Sequence, residues 1–175
     1  MADVLTHVLA GYVIGSLVAL RYDWARTPHV TMVMIGALSP DFKKIDHVIT
    51  DGMVTSALGI PWGWTALHTT GGTIVVALLG SLLVAPGHRK RVIALIVIGA
   101  ASHHVLDLLL VKGTGYTYPV LWPFVEYRPP AGGLYLSSDR WPALLTGTIA
   151  AVLWGVRRRY DRSPSSGYAD PASRP

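Results

Sequence analysis

Five residues of this chain pair metal-ligand chemistry with places at the edges of apolar segments: His7, Asp41, His68, His103 and Asp107. Imidazole nitrogen and carboxylate oxygen together suit zinc, manganese or iron. Cysteine is absent, so thiolate ligation, disulfides and a cysteine nucleophile are excluded, and a divalent metal, zinc first, has only His and carboxylates to bind it. His103 and Asp107 are four residues apart and share one face of a helix. Asp107 sits inside the run Val105 to Leu110, where a carboxylate is costly unless it is paired or ligates an ion. The neighbouring His104 cannot share that face with His103 on a regular helix and is the fallback ligand.

Each of the others also has a plainer reading. His7 and His68 fit interfacial histidines satisfied by backbone or lipid headgroup. Asp41, after Ser39 and Pro40, fits a residue that ends one helix or caps the next element. His29 and His88 adjoin Pro28 and Arg89 at the opposite boundary, where solvation is the default. Asp46 and His47 are minor candidates in a loop.

The elements that must position these groups are apolar. Hydrophobic residues make up 51% of the 175 and charged residues only 14%, with a mean hydropathy of +0.41, so most of the surface is expected to face lipid. Five segments read as membrane helices: Val4 to Leu20, His29 to Leu38, Thr65 to Ala85, Val92 to Val111 and Trp141 to Val156. The fold class expected is all-α, a polytopic membrane helix bundle of about five helices. The second segment is short and could be a half-helix packed inside the bundle. The first lacks a basic n-region and carries His7 within its apolar run, which argues against a signal peptide. One domain, residues 1–156 with outer loops 39–64 and 112–140, would precede a basic tail, 157–175. The Pro, Ser and Gly of that tail leave little to bury, and disorder is expected there.

If all five segments span, Arg21, Arg26, Arg89 to Arg91 and the arginines after Val156 gather on one face, against Lys43, Lys44, Lys112, Arg128 and Arg140 on the other. The more basic face is then cytoplasmic, with the N-terminus outside and the C-terminus inside a multi-pass cell-membrane protein. Trp62, Trp64, Trp122 and Trp141 line the outer interface. The net charge of +5 follows topology rather than a basic stripe with interleaved aromatics, so membrane lipids and not nucleic acid are the expected partners. In this topology the five candidate ligands share the outer end.

The same residues carry a resemblance to the membrane-bound metal-dependent hydrolases, including the family described as LexA-binding inner-membrane hydrolases. The chain resembles that group in Thr6-His7 before a membrane helix, in Leu38-Ser39-Pro40-Asp41, in His68, and in Ser102-His103 with Asp107, followed by Gly115 and Trp122-Pro123-Phe124. The likeness runs from about Thr6 to Phe124, and the wording looks like an archaeal branch. Two departures stand out. Lys43 replaces the second Asp of the family's P-D-x-D, and Trp62 to His68 keeps only the final histidine of H-R-G-x-T-H-S. The resemblance then implies a single ion held by some of His7, Asp41, His68, His103 and Asp107.

The function expected is hydrolysis of an amphiphilic ester, amide or phosphoester near the outer face, by a metal-bound water whose pKa falls from about 15.7 toward about 7. Asp41 or Asp107 would be the general base, or would orient a ligand histidine. Tyr116, Tyr118, Trp122, Phe124, Tyr127 and Tyr135 form either a lid or an interfacial anchor. A non-catalytic scaffold tied by a structural metal or polar cluster is the alternative. An ion or proton pathway is a third reading, opposed by the wholly apolar run Val92 to Ala101.

Overall fold

The computed structural model describes residues 4–160, and among them the chain is helical with no strand. Helix α1 (Val4–Arg21) and α2 (Thr27–Leu38) form a hairpin. A 3-10 segment (Ser39–His47), the short α3 (Asp51–Leu58) and a second 3-10 turn (Trp64–His68) lead to α4 (Thr70–Leu82). Helix α5 (Arg89–Leu108) returns, and α6 (Trp141–Tyr160) closes the bundle. α2 packs between α1 and α5, while α4 lies on α5 and α6 on α1.

α1 and α4 are built inside out relative to the helices of a water-soluble bundle. α1 buries Thr6, His7, Gly11, Gly15 and Ser16 and exposes Leu5, Leu17 and Leu20. α4 buries Gly72, Thr73, Ala77 and Ser81 while Val75, Leu78, Leu79 and Leu82 point outward. Small and hydroxyl-bearing residues between helices, with branched apolar residues outside, are what packing in lipid favours, because lipid tails leave no hydrophobic gain for burying leucine. α1 and the stretch Pro86–Leu108 are long and apolar enough to cross a membrane, and α4 is a shorter apolar helix.

Close approach between α2 and α5 depends on two glycines. A Cβ on Gly99 would collide with the carbonyl oxygen of Val33, and one on Gly36 with the carbonyl of Ile96. With no side chain at either position, the two backbones touch, and the end of α2 is brought against the last turns of α5.

Element boundaries differ in several places from those read in the sequence, and two of these differences change the setting of a candidate ligand or of basic residues. The segment expected to be helical from Thr65 is broken at Thr69, whose extended backbone caps α4 and whose hydroxyl accepts from Gly72 N–H. Gly72 lets α4 start tightly against Ala66 and Leu67, and Gly71 lets it approach Trp122 and Pro123, so His68 ends a 3-10 turn instead of opening the helix. α6 continues through Tyr160, so Arg157, Arg158 and Arg159 form its last turn; the rest of the expected disordered tail lies outside the described residues.

The long loop after α5 has no strands, only isolated bridges, yet it is tied down at both helix ends that it meets. Thr70 and Gly71 N–H at the start of α4 donate to Val120 and Trp122 carbonyls at 2.7 and 2.9 Å. Gly132 N–H donates to Leu108 O, and the Tyr135 hydroxyl to Leu106 O, each near the end of α5. Orphan donors and acceptors of two helix termini are thereby satisfied, and the loop closes over that end of the bundle.

Candidate metal centre

The end of the bundle beneath this loop gathers side chains from α1, the Ser39–His47 segment, the Trp64–His68 turn and α5. His7, His68, His103 and Asp107 are all essentially inaccessible to solvent, and Asp41 is nearly so. His103 and Asp107, one turn apart on α5, both face inward, with His103 Nε2 3.8 Å from Asp107 Oδ2. His7 stacks on His103 with ring centroids 3.8 Å apart and places Nε2 3.5 Å from Asp107 Oδ1. His68 Nε2 lies 2.8 Å from Asp107 Oδ2.

Tautomers at two of these rings follow from backbone partners. His103 Nδ1 lies 2.8 Å from the Ala37 carbonyl oxygen, and His68 Nδ1 lies 3.0 Å from that of Pro40. A carbonyl oxygen only accepts, so both Nδ1 atoms carry hydrogen and donate. In a neutral ring, Nε2 then presents a lone pair, the form in which imidazole binds a metal. Both lone pairs point at the Asp107 carboxylate, which has only lone pairs to offer in return. Such an arrangement repels itself unless a positive charge lies among the three groups. A proton on His68 is one way to supply it, and a divalent cation is the other.

The donor set fits a cation on a second count. His7 Nδ1, Asp41 Oδ1 and His103 Nε2 are buried without a hydrogen-bond partner. Leaving a buried polar atom unsatisfied costs about 1–3 kcal/mol, more when it is charged. Two triads have ligand atoms within 4.8 Å of one another: His7, His103 and Asp107, and Asp41, His68 and His103. His103 belongs to both and has one free nitrogen, so the triads form one continuous cluster. Buried His and Asp groups of this chain can therefore hold a metal ion.

Further residues frame the cluster. Asp41 Oδ2 accepts from Lys44 Nζ at 2.9 Å, leaving Oδ1 for the site. His104 turns away from the other histidines' focus: its Nδ1 meets the Tyr118 hydroxyl at 2.9 Å and its Nε2 the Thr73 hydroxyl at 3.3 Å. Tyr118 packs its ring on His68, with centroids 4.2 Å apart. Burial first, then the negative charges of Asp107 and Asp41, push its phenol well above the usual range, so it remains a neutral hydroxyl. The half-buried Lys43 holds its ammonium 5.8 Å from the Tyr118 ring centroid.

The minor candidates stay outside. His29 Nδ1 accepts from Arg26 N–H at the other end of the bundle, Asp46 accepts from Asp51 N–H, and His47 and His88 are exposed. Of the loop aromatics, Tyr118 reaches the cluster, whereas Tyr116, Phe124 and Tyr127 are exposed. The Ala37 and Pro40 carbonyls leave no mark on the sequence as partners, apart from Pro40 preceding Asp41.

A model of the YdjM inner membrane protein family matches residues 1–165. The chain belongs to the YdjM inner membrane protein family. Membership agrees with the outward-facing apolar side chains of α1 and α4 and makes the protein membrane-associated, with the His and Asp cluster at one end of its bundle. No curated protein and no solved structure matches the chain.

Proposed function

We propose that this member of the YdjM family is a metal-dependent hydrolase that acts on an amphiphilic ester or phosphoester at the outer face of the membrane. The observation that carries the reading is the pair of carbonyl-anchored imidazoles, His68 and His103, aiming Nε2 at the buried Asp107 carboxylate. His68, His103 and Asp107 would hold a divalent ion, most simply zinc, with His7 and Asp41 at its sides. An ion bound there would supply Lewis acidity and an acidified water.

The chain's own groups have distinct tasks in this reading. Asp41, with Oδ1 free of hydrogen bonds, takes the proton of the attacking water, and Lys44 on Oδ2 holds the carboxylate in orientation. Burial lowers the Lys43 ammonium's pKa, while the charges of Asp107 and Asp41 oppose that effect. Beside Tyr118, Lys43 supplies a positive charge for an anionic substrate group. The loop that bonds to the first turn of α4 covers the site.

The substrate reaches the site laterally, because the cluster lies at the end of helices whose outer faces are apolar. The N-terminus is outside and the C-terminus cytoplasmic, and α2 and α4, with 12 and 13 residues, cross as short helices supported by α1 and α5. Their lengths of about 18 and 20 Å are below the ~30 Å of a hydrocarbon core, so the neighbouring loops must dip toward the bilayer.

The test uses the purified protein in detergent with chromogenic phosphodiester and carboxylester substrates. Turnover that a chelator abolishes and Zn or Mn restores, and that Asp41→Asn lowers by at least about 100-fold without loss of metal, is the expected result. Stoichiometric metal without turnover on any substrate would overturn it.

A further inference from the structure

A cavity of about 510 Å³ lies at the other end of the bundle, between the end of α1, the turn into α2 and the last turn of α6. Asp23, Arg26, Thr27, Arg157 and Tyr160 line it. It is distinct from the metal centre: His7 and Arg21 mark opposite ends of α1, about 21 Å apart.

Arg157 crosses from α6 to α1 and α2. Its Nη1 donates to the Ser16 hydroxyl at 3.3 Å and its Nη2 to the Thr27 hydroxyl at 3.4 Å. Ser16 is fully buried, so the guanidinium is held in place at the base of the cavity. Both partners are neutral. Among the described residues, no ion pair involves Arg157 or Arg26. A guanidinium has five N–H donors in a planar fork that matches phosphate oxygens, and two of them are engaged here by long bonds. With two arginines and one carboxylate, Asp23, among its lining residues, the cavity carries net positive charge and suits an anion.

The neighbouring surface identifies the source of the anion. In the turns next to the cavity α1 exposes Leu17 and Leu20, and α6 exposes Val152 and Val156. A phosphate carried on acyl chains can lay those chains along these side chains while its headgroup occupies the cavity; a soluble phosphate gains nothing from them. We infer that Arg157 and Arg26 form a binding site for the phosphate of an anionic phospholipid.

Native mass spectrometry of the full chain released from phosphatidylcholine nanodiscs containing phosphatidylglycerol tests this. Phosphatidylglycerol should be retained in preference to phosphatidylcholine. Arg157→Gln and the exposed Arg26→Gln should each reduce that preference about fivefold, the factor expected for one basic residue near an anionic headgroup. Asp23→Asn should raise it, and metal content should stay unchanged in all three. Equal retention of the two lipids would overturn the inference. So would an undiminished preference in Arg26→Gln together with Arg157→Gln, or displacement of phosphatidylglycerol by inorganic phosphate.

Discussion

His68 Nε2 approaches Asp107 Oδ2 to 2.8 Å while the opposite ring nitrogen donates to the Pro40 carbonyl. A neutral His68 would therefore face a carboxylate with lone pair against lone pair. Asp107→Asn resolves the conflict differently from any other substitution, because an amide N–H can donate to the His68 lone pair without a cation. Metal affinity should fall by more than the ~10 to 100-fold known for groups that only orient ligands, while the melting temperature of the metal-free protein should hold or rise. Metal titration beside a thermal melt reads both, and unchanged affinity would remove Asp107 from the ligand set.

The two adjacent histidines of α5 should separate cleanly. His103→Ala removes a nitrogen common to both candidate triads and should abolish tight metal binding. His104→Ala leaves the hydroxyls of Thr73 and Tyr118 without their partner, costing roughly 1–3 kcal/mol of stability with a smaller change in metal affinity. If His104→Ala proved the more damaging to metal binding, the ring facing the ion would be the wrong one.

Gly99→Ala tests whether the α2–α5 contact positions the ligands. The added methyl has no space against Val33 and Ala37, and overpacking of this kind costs typically about 1–3 kcal/mol. Since the Ala37 carbonyl holds His103, metal affinity should weaken along with stability. Gly87→Ala, where a Cβ meets open space, is the control and should change neither.

Chelation separates a catalytic centre from a structural one. A catalytic ion keeps an open coordination position, so its removal should end turnover and leave the fold largely intact. If metal removal instead dropped the melting temperature steeply with no activity to lose, binding energy would be folding energy and the cluster a scaffold.

Orientation is accessible because the chain has no cysteine of its own. Single cysteines at Gly52, in α3, and at Gly87, before α5, lie on opposite ends of the bundle. Impermeant maleimide applied to intact cells should label Gly52→Cys and not Gly87→Cys, and a tag after Arg159 should be cytoplasmic. Labelling of both cysteines from one side would undo the proposed topology and the outer location of the site.

Much of the centre was legible in the residues themselves. A carboxylate one helical turn from a histidine inside an apolar run needs a partner wherever the run folds, and hydropathy alone put His7, Asp41, His68 and His103 at the same end as Asp107. That end is shared because consecutive antiparallel helices carry residues at their N- and C-termini to common faces. Helical character, the absence of thiolate chemistry and the basic end of the molecule were likewise readable from composition and spacing.

What only tertiary structure decided concerns groups that no period in the chain relates. Spacing within α5 cannot say that His103 donates to Ala37, 66 residues earlier, or that Arg157 reaches Ser16 across 141. Those contacts exist because Gly36 and Gly99 let two backbones meet and because α6 crosses α1 at one register. Backbone carbonyls are the same in every residue, so the Ala37 and Pro40 oxygens that set the tautomers leave no signature in residue type. Tyr118 is the clearest case: one loop aromatic among several in the sequence, it reaches His68 and His104 only because the loop carbonyls of Val120 and Trp122 cap α4.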